Sequence, residues 1–240
     1  MTDVPADIVH DLAPTGTLRA SINLGNAVLA QGTSQDPSGI TVDLAREIAR
    51  RLEVPLELVC FDAARKSFEA LTTGAADLGF LAVEPARAEQ VAFTAAYVLI
   101  EGVFVVPDES SLRSVADVDR AGVRIGVKEG SAYDLYLTRT LQHAELVRGG
   151  EGVEVFDEQR LEAGAGIRQP VTAWADAHTG VRVVDEAFMQ IRQAVATARN
   201  RTPETVAYLQ QVVEELKASG FVRESLDRAG QADTTVAPPA

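Results

Sequence analysis

Between Gly39 and Val106 the chain alternates amphipathic helices with short, wholly apolar runs, a combination that a layered α/β sheet accommodates. From about Thr41 to Leu52, Leu44, Ile48 and Leu52 fall with Ala45 and Ala49 on one stripe at helical spacing. Pro55 shows that this helix has ended, and Leu56–Cys60 reads as a strand. A second helix, over about 63–73, turns Phe68 and Leu71 inward and stops at Gly74, a residue suited to the left-handed turn after a helix. Leu78–Val83 is short and continuously apolar, as a strand covered on both faces must be. Pro85 then suits the first turn of a further helix. Repeated strand–helix–strand units place the chain in the α/β class.

The same grammar extends in both directions. Residues 1–16 are polar, with Pro5, Pro14 and Gly16, and form an N-terminal extension or short helix. Thr17–Asn23 alternates as a strand, and 25–39 is a loop rich in Gly, Ser, Gln and Asp. Val98–Val106 is another apolar strand, ending at Pro107. Ser114 caps a short helix, Val123–Val127 is a buried strand, and Ala132 to about Leu141 is a helix with Tyr133, Tyr136, Leu137 and Leu141 inward. Pro170 starts a helix containing Trp174, and Val181–Val184 is a strand. Phe188–Ala198 is the next strand. Thr202 opens a long helix through Leu216 whose stripe is Val206, Leu209, Val213 and Leu216. A last helix follows Gly220, and Thr234–Ala240 is a loose tail.

Composition narrows the function. A chain of 240 residues, 46% hydrophobic and 24% charged, can bury substantial cores in one large domain or two small ones. Its formal charge of −13 repels phosphate backbones and anionic lipid, which argues against nucleic-acid partners and polybasic membrane attachment. Cys60 is the only cysteine, so there is no disulfide framework or thiolate cage; Leu58, Val59 and Phe61 around it mark a buried structural thiol. His10, His143 and His178 lie far apart, at surface or helix-end positions, without metal-ligand spacing. No apolar run reaches the ~18 residues of a membrane span, so direct membrane insertion is not expected. Met1–Asp7 lacks the basic and apolar regions of a signal peptide: either a signal has been removed or the protein stays where it is made. With no nucleophile–His–acid set, zinc motif or phosphate loop, no metal, cofactor or catalytic residue is expected.

The helix Gly39-Ile40-Thr41-Val42-Asp43-Leu44-Ala45-Arg46-Glu47-Ile48-Ala49, the segment Leu71-Thr72-Thr73-Gly74-Ala75-Ala76-Asp77, and Pro85-Ala86-Arg87 follow one another in the order G-x-x-x-D-L-A-x-x-I-A, L-x-x-G-x-x-D and T-P-x-R. That series resembles the first lobe of the extracytoplasmic solute-binding proteins of polar amino-acid ABC transporters (family 3), and the likeness covers about residues 17–230. It implies a type II periplasmic-binding-protein-like fold of two α/β lobes joined by a two-strand hinge. One lobe takes residues 1–104 and 185–240, the other 105–184. It also implies a monomer that closes on a small carboxylate-bearing solute, an amino acid or related organic acid, without chemistry. The implied partner is an ABC permease and the implied location is outside the cytoplasmic membrane, whereas the N-terminal sequence leaves a cytoplasmic location open.

Within that resemblance, Arg87 is the first candidate ligand residue, since the Arg of T-P-x-R grips a ligand carboxylate through its fork of donors. Here Glu84 stands in place of Thr, and Asp77 lies ten positions before Arg87, closer than the family pattern. The alternative is a solvated Arg at a helix start. Gly130, Ser131 and Ala132 correspond to the family's G-[ST]-[ST] segment, which binds the ligand carboxylate from the second lobe at a helix N-terminus, with Ala132 in place of the second hydroxyl residue; the alternative is an ordinary helix cap. Asn23 and Asn26 lie at and just beyond the carboxyl end of the first strand, where α/β sheets place ligands, or serve only the local turn. Glu101 is an acid within an apolar strand: it pairs with a ligand amine, pairs with Arg87, or is an exposed rung. Where amino-acid binders carry an Asp for the α-ammonium, this chain has small residues and then Arg168, which points to an anionic or dicarboxylic ligand. Two other functions fit the same scaffold. One is a cyclohexadienyl-dehydratase-like enzyme using Glu84 or Glu101 as its acid; the other is a cytosolic ligand sensor.

Overall fold

The computed structural model describes residues 4–240. Residues 1–3, on which the reading of the signal-peptide region partly rests, lie outside the described residues. The chain opens with α1 (Ala6–Leu12), β1 (Leu18–Asn23) and a small antiparallel ladder of β2 (Gln31–Gly32) and β3 (Pro37–Ser38). Then come α2 (Ile40–Leu52), β4 (Leu56–Phe61), α3 (Ala64–Thr72), β5 (Leu78–Ala82), α4 (Pro85–Ala88) and the long β6 (Val91–Pro107). The middle of the chain holds α5 (Val115–Val118), β7 (Arg124–Lys128), α6 (Ala132–Thr140), β8 (Glu145–Gly149), α7 (Gly152–Glu158), β9 (Ala163–Ile167) and α8 (Arg168–Asp176). It ends with β10 (Val181–Val183), β11 (Met189–Ala198), α9 (Pro203–Ala218), α10 (Phe221–Arg228) and β12 (Thr235–Val236). Two compact units result: Met1–Leu99 with Arg192–Ala240, and Ile100–Ile191. The chain passes from one to the other within β6 and returns within β11.

In the first unit β1 lies between parallel strands β4 and β5, and β11 runs antiparallel to β5. Every residue of β5 is buried, as its unbroken apolar run requires. Leu71, Leu81, Val91 and Ala196 form a core cluster against which Phe68 packs half-buried. Helix α2 buries the stripe read from the sequence and is tied to α9 by charge. Glu47 accepts hydrogen bonds from Arg50 (2.7 Å) and Arg51 (2.8 Å), and Arg51 donates onward to Glu215 (2.6 Å). The hydrogen bonds from Arg50, with those from Arg51, hold the Glu47 carboxyl down at about 2 despite its partial burial. Tyr97 of β6 is fully buried edge-on to Phe80, its hydroxyl has no hydrogen-bond partner, and burial pushes its pKa upward.

The second unit has β7 between parallel β8 and β9, with β6 antiparallel to both β9 and β10. Its core gathers Val103, Val105, Phe156, Leu161 and Val171. Helix α7 lies directly on the sheet backbone. A Cβ on Gly152 would come within 2.2 Å of the Ala165 carbonyl oxygen, and one on Gly126 within 2.4 Å of the Gly152 carbonyl oxygen, so both must be glycine. Trp174 packs at the edge of this core and stacks on His178, ring centroids 4.0 Å apart.

Several expectations need correction. The tail is not loose: β12 pairs with Val98 and Leu99 of β6, and Thr234 and Ala237 are buried. Its anchors, Arg223 and Lys217, are distant in sequence and left no local signal. The loop at 25–39 contains the β2–β3 ladder, and β6 starts seven positions earlier than the apolar run suggested. β8, α7 and β9 lie where the local sequence pattern names no element, and α8 starts at Arg168 with Pro170 in its first turn, where no amide is needed. Cys60 is half-buried, and burial raises its thiol pKa. No helix among the described residues is long and apolar enough to cross a membrane.

Two tests follow from the first unit. A buried hydroxyl without a partner costs about 1–3 kcal/mol, so Tyr97→Phe is expected to raise the urea-unfolding free energy by about 1 kcal/mol; a drop would show that the hydroxyl is engaged. Because the folded-state pKa of Glu47 is depressed, its contribution is present above the ordinary 4.5 and lost as pH falls toward about 2. Urea midpoints of the parent and Glu47→Gln chains are therefore expected to differ at neutral pH and to converge across that window.

Candidate functional site

In the first unit the candidates cluster at the carboxyl ends of β1 and β5. Asn23 ends β1, and its side-chain oxygen accepts the Gly25 amide at 3.1 Å. Asn26 is buried, and its side-chain oxygen accepts the Val28 amide at 3.2 Å. Both asparagines thus fold the turn back on itself. Gly25 is forced there, since a Cβ would lie 2.0 Å from the Asp62 carbonyl oxygen.

Glu84 caps the short α4, its carbonyl accepting the Arg87 and Ala88 amides at 3.0 and 2.9 Å. Arg87 is not a solvated surface residue: it is 3% exposed, as is Glu84, and its Nη1 donates to the Ala82 carbonyl at 3.4 Å. Burial pulls its guanidinium down to about 10, against the opposing pull of the Glu84 charge. A buried cation therefore sits just beyond the C-terminal end of β5.

Asp77, which precedes β5, has a structural task instead. Its carboxylate accepts from Arg19 Nε (2.9 Å) and Nη2 (2.8 Å) and from Arg201 Nη2 (3.0 Å). The Asp77 side chain is 1% exposed, and its carbonyl accepts the Thr197 hydroxyl.

In the second unit Ser131 is the N-cap of α6, its hydroxyl accepting the Asp134 amide at 3.0 Å. The Asp134 carboxylate turns back to accept the Gly130 amide at 2.9 Å, and Arg148 Nε binds it at 3.0 Å. Asp134 is buried, so this helix start already hosts a carboxylate of the protein itself. Ala132 and Tyr133 follow at the first two helical positions, whose amides precede the first intrahelical bond. Asp134 was missed in the sequence although Ser131-x-x-Asp134 is a legible capping pattern; Arg148 had no local signal. Lys128, just before this turn, pairs with Glu151.

Arg168 pairs with Glu101, and its Nη2 donates to the Asp185 carbonyl at 2.8 Å. The partner considered for Glu101 within the protein was Arg87; the ion pair found is with Arg168. Both side chains stay partly exposed, so the pair presents a donor and an acceptor side by side.

An open cavity of about 840 Å³ in the first unit is lined by His10, Arg51, Val54, Tyr208 and Val212 among others, and by none of the candidates. Arg51 there is engaged by Glu47 and Glu215, so the cavity offers an anion no uncommitted charge from it.

The chain matches the model of the bacterial extracellular solute-binding proteins, family 3, over residues 28–231. No curated protein matches it in sequence. Among solved structures, it is similar to a variant of ArgBP from T. maritima (TM-score 0.75, 20% identity, covering 93% of this chain and 99% of that one). It is similar to the amino-acid ABC transporter substrate-binding protein AbpA from Streptococcus pneumoniae, bound to L-arginine (0.75, 20%, 92% and 97%). It is also similar to the ancestral amino-acid-binding protein AncCDT-1, a precursor of cyclohexadienyl dehydratase (0.73, 21%, 92% and 98%). The fold is that of the type II periplasmic-binding-protein-like α/β proteins. By the extent of the family match, the chain belongs to the bacterial extracellular solute-binding proteins, family 3.

Removing a buried ion's partner costs about 3–5 kcal/mol, so Asp77→Ala is expected to lower the urea-unfolding free energy by about 3 kcal/mol. A loss below about 1 kcal/mol, the range of exposed pairs, would show that Arg19 and Arg201 do not need this carboxylate.

Proposed function

We propose that this solute-binding protein closes on a small carboxylate-bearing solute, an amino acid or related organic acid, and delivers it to an ABC permease. The two compact units serve as its lobes. The observation that carries this reading is Arg87, a guanidinium held almost wholly out of water beyond the carboxyl end of β5. In such a low-dielectric setting a ligand carboxylate gains more from the charge than it would at an exposed Arg. The Gly130–Ala132 turn contributes backbone amides from the other unit, through Ala132 and its neighbour Tyr133 rather than through the Gly130 amide, which Asp134 occupies.

Asn23, Asn26 and Glu84 complete the proposed set in the first unit, and Glu101 and Arg168 in the second. Because Arg168 is paired with Glu101, its charge is already offset, and the case for a second ligand carboxylate weakens. AbpA is bound to L-arginine. A basic amino acid therefore joins the dicarboxylates as a first probe. Binding requires differential affinity for the closed state, so both units must contribute.

A thermal-shift screen against amino acids, dicarboxylates, aromatic acids and polyamines tests this. A ligand at a thousand times its Kd stabilises by about 4 kcal/mol, so the midpoint is expected to rise by roughly 8–16 °C. Arg87→Ala is expected to lose most of that shift. Absence of a shift with every acid, in protein freed of co-purified solute, would overturn the carboxylate assignment. Turnover of prephenate or arogenate would replace binding with the dehydratase reading.

A further inference from the structure

The C-terminal segment Thr234–Ala240 is anchored along most of its length. Thr235 and Val236 pair antiparallel with Leu99 and Val98, and the Ala237 amide donates to the Tyr97 carbonyl at 3.0 Å. Arg223 Nη1 donates to the Thr234 carbonyl at 2.8 Å, anchoring the near end to α10. Lys217 of α9 secures the far end. Its ammonium donates to the Pro238 carbonyl (2.9 Å) and to the Ala96 carbonyl of β6 (3.2 Å), and pairs with Glu214 (2.6 Å).

The Lys217 side chain is only 5% exposed, and those three partners match the three donors of an ammonium group. One buried cation thus joins the tail and the strand it covers. Glu214 also accepts the Ala240 amide at 3.4 Å. Pro238 and Pro239 have no amide hydrogen, so no ladder donor is available beyond Ala237.

The strand segment so covered is the crossover itself. Leu99 is the last residue of the first unit before β6 enters the second, and Glu101, a candidate ligand residue, lies two positions on. We propose that the C-terminal strand is a splint for the crossover strand, that Lys217 is the positioning residue that seats it, and that solute affinity depends on both. The affinity part rests on the solute-binding reading above. Fixing the backbone of β6 in advance removes an ordering cost that solute binding would otherwise incur. If release of the splint leaves β6 in its binding-competent form about one-tenth of the time, apparent affinity falls about tenfold.

The experiment compares the full chain with a truncation after Asp233, with Lys217→Met and with Ala237→Pro, which removes the amide that binds Tyr97 and leaves Lys217 in place. Each is followed by hydrogen exchange of peptides covering Tyr97–Ile100 and by calorimetric titration with L-arginine and with L-glutamate. The expected result is native circular dichroism, exchange at 97–100 faster by about tenfold, and a Kd raised about tenfold. Adding a synthetic Thr234–Ala240 peptide to the truncated chain is expected to restore both readouts.

Should the truncation fail to fold, Ala237→Pro carries the same expectations. Unchanged exchange at 97–100 in a folded variant overturns the splint. Faster exchange with unchanged Kd overturns the positioning role. If neither amino acid binds the full chain, the affinity claim falls with the carboxylate reading for these probes, and hydrogen exchange alone decides the splint.

Discussion

The first unit is organised around one buried carboxylate. Asp77 joins Arg19 of β1 to Arg201, beyond the end of β11, and its own amide donates to the Arg19 carbonyl at 2.8 Å. The entry to β5 is therefore fixed in register with β1 on one side and β11 on the other. Once that entry is fixed, the apolar run Leu78–Ala82 can do nothing but cross the core, and it emerges at Glu84 and Arg87. The position of the candidate cation is thus set by an ion cluster at the opposite end of the strand. Burying three charges together is tolerable because the carboxylate receives a donor from nearly every direction.

The second unit uses a different device for the same purpose. Its α6 begins on Ser131 and Asp134, and Arg148 of β8 balances the buried acid. The turn before α6 is held by Gly130's bond to that acid and by the burial of Ser131, Ala132 and Tyr133. Rigid backbone amides favour recognition, since a flexible turn would have to be ordered by the solute. The internal carboxylate also narrows what can approach, because it already occupies part of the favourable field at the helix start.

Much of the architecture was legible because it is written in local patterns. The α2 stripe, the apolar β5 run, Ser114 and Thr202 as caps, and the stop at Gly74 each depend on residues within one or two turns. What the sequence concealed depends on distant partners. Helix α7 is short and is recognised only by the backbone contact that Gly126 and Gly152 permit. The docked tail depends on Lys217 and Arg223. At the candidate site the residue types and their order could be read, but not their states. Nothing local announced that Arg87 is buried or that Arg168 is engaged by Glu101.

The stacking of Trp174 on His178 has a further consequence. Trp174 is the chain's single tryptophan and lies in the second unit, so indole emission is an optical signal from that unit alone. Its face-to-face contact with the His178 ring, centroids 4.0 Å apart, makes the emission sensitive to whether that stack persists. Unfolding followed by fluorescence therefore observes the second unit, while far-ultraviolet circular dichroism observes both. Any separation between the two curves would measure how independently the units melt.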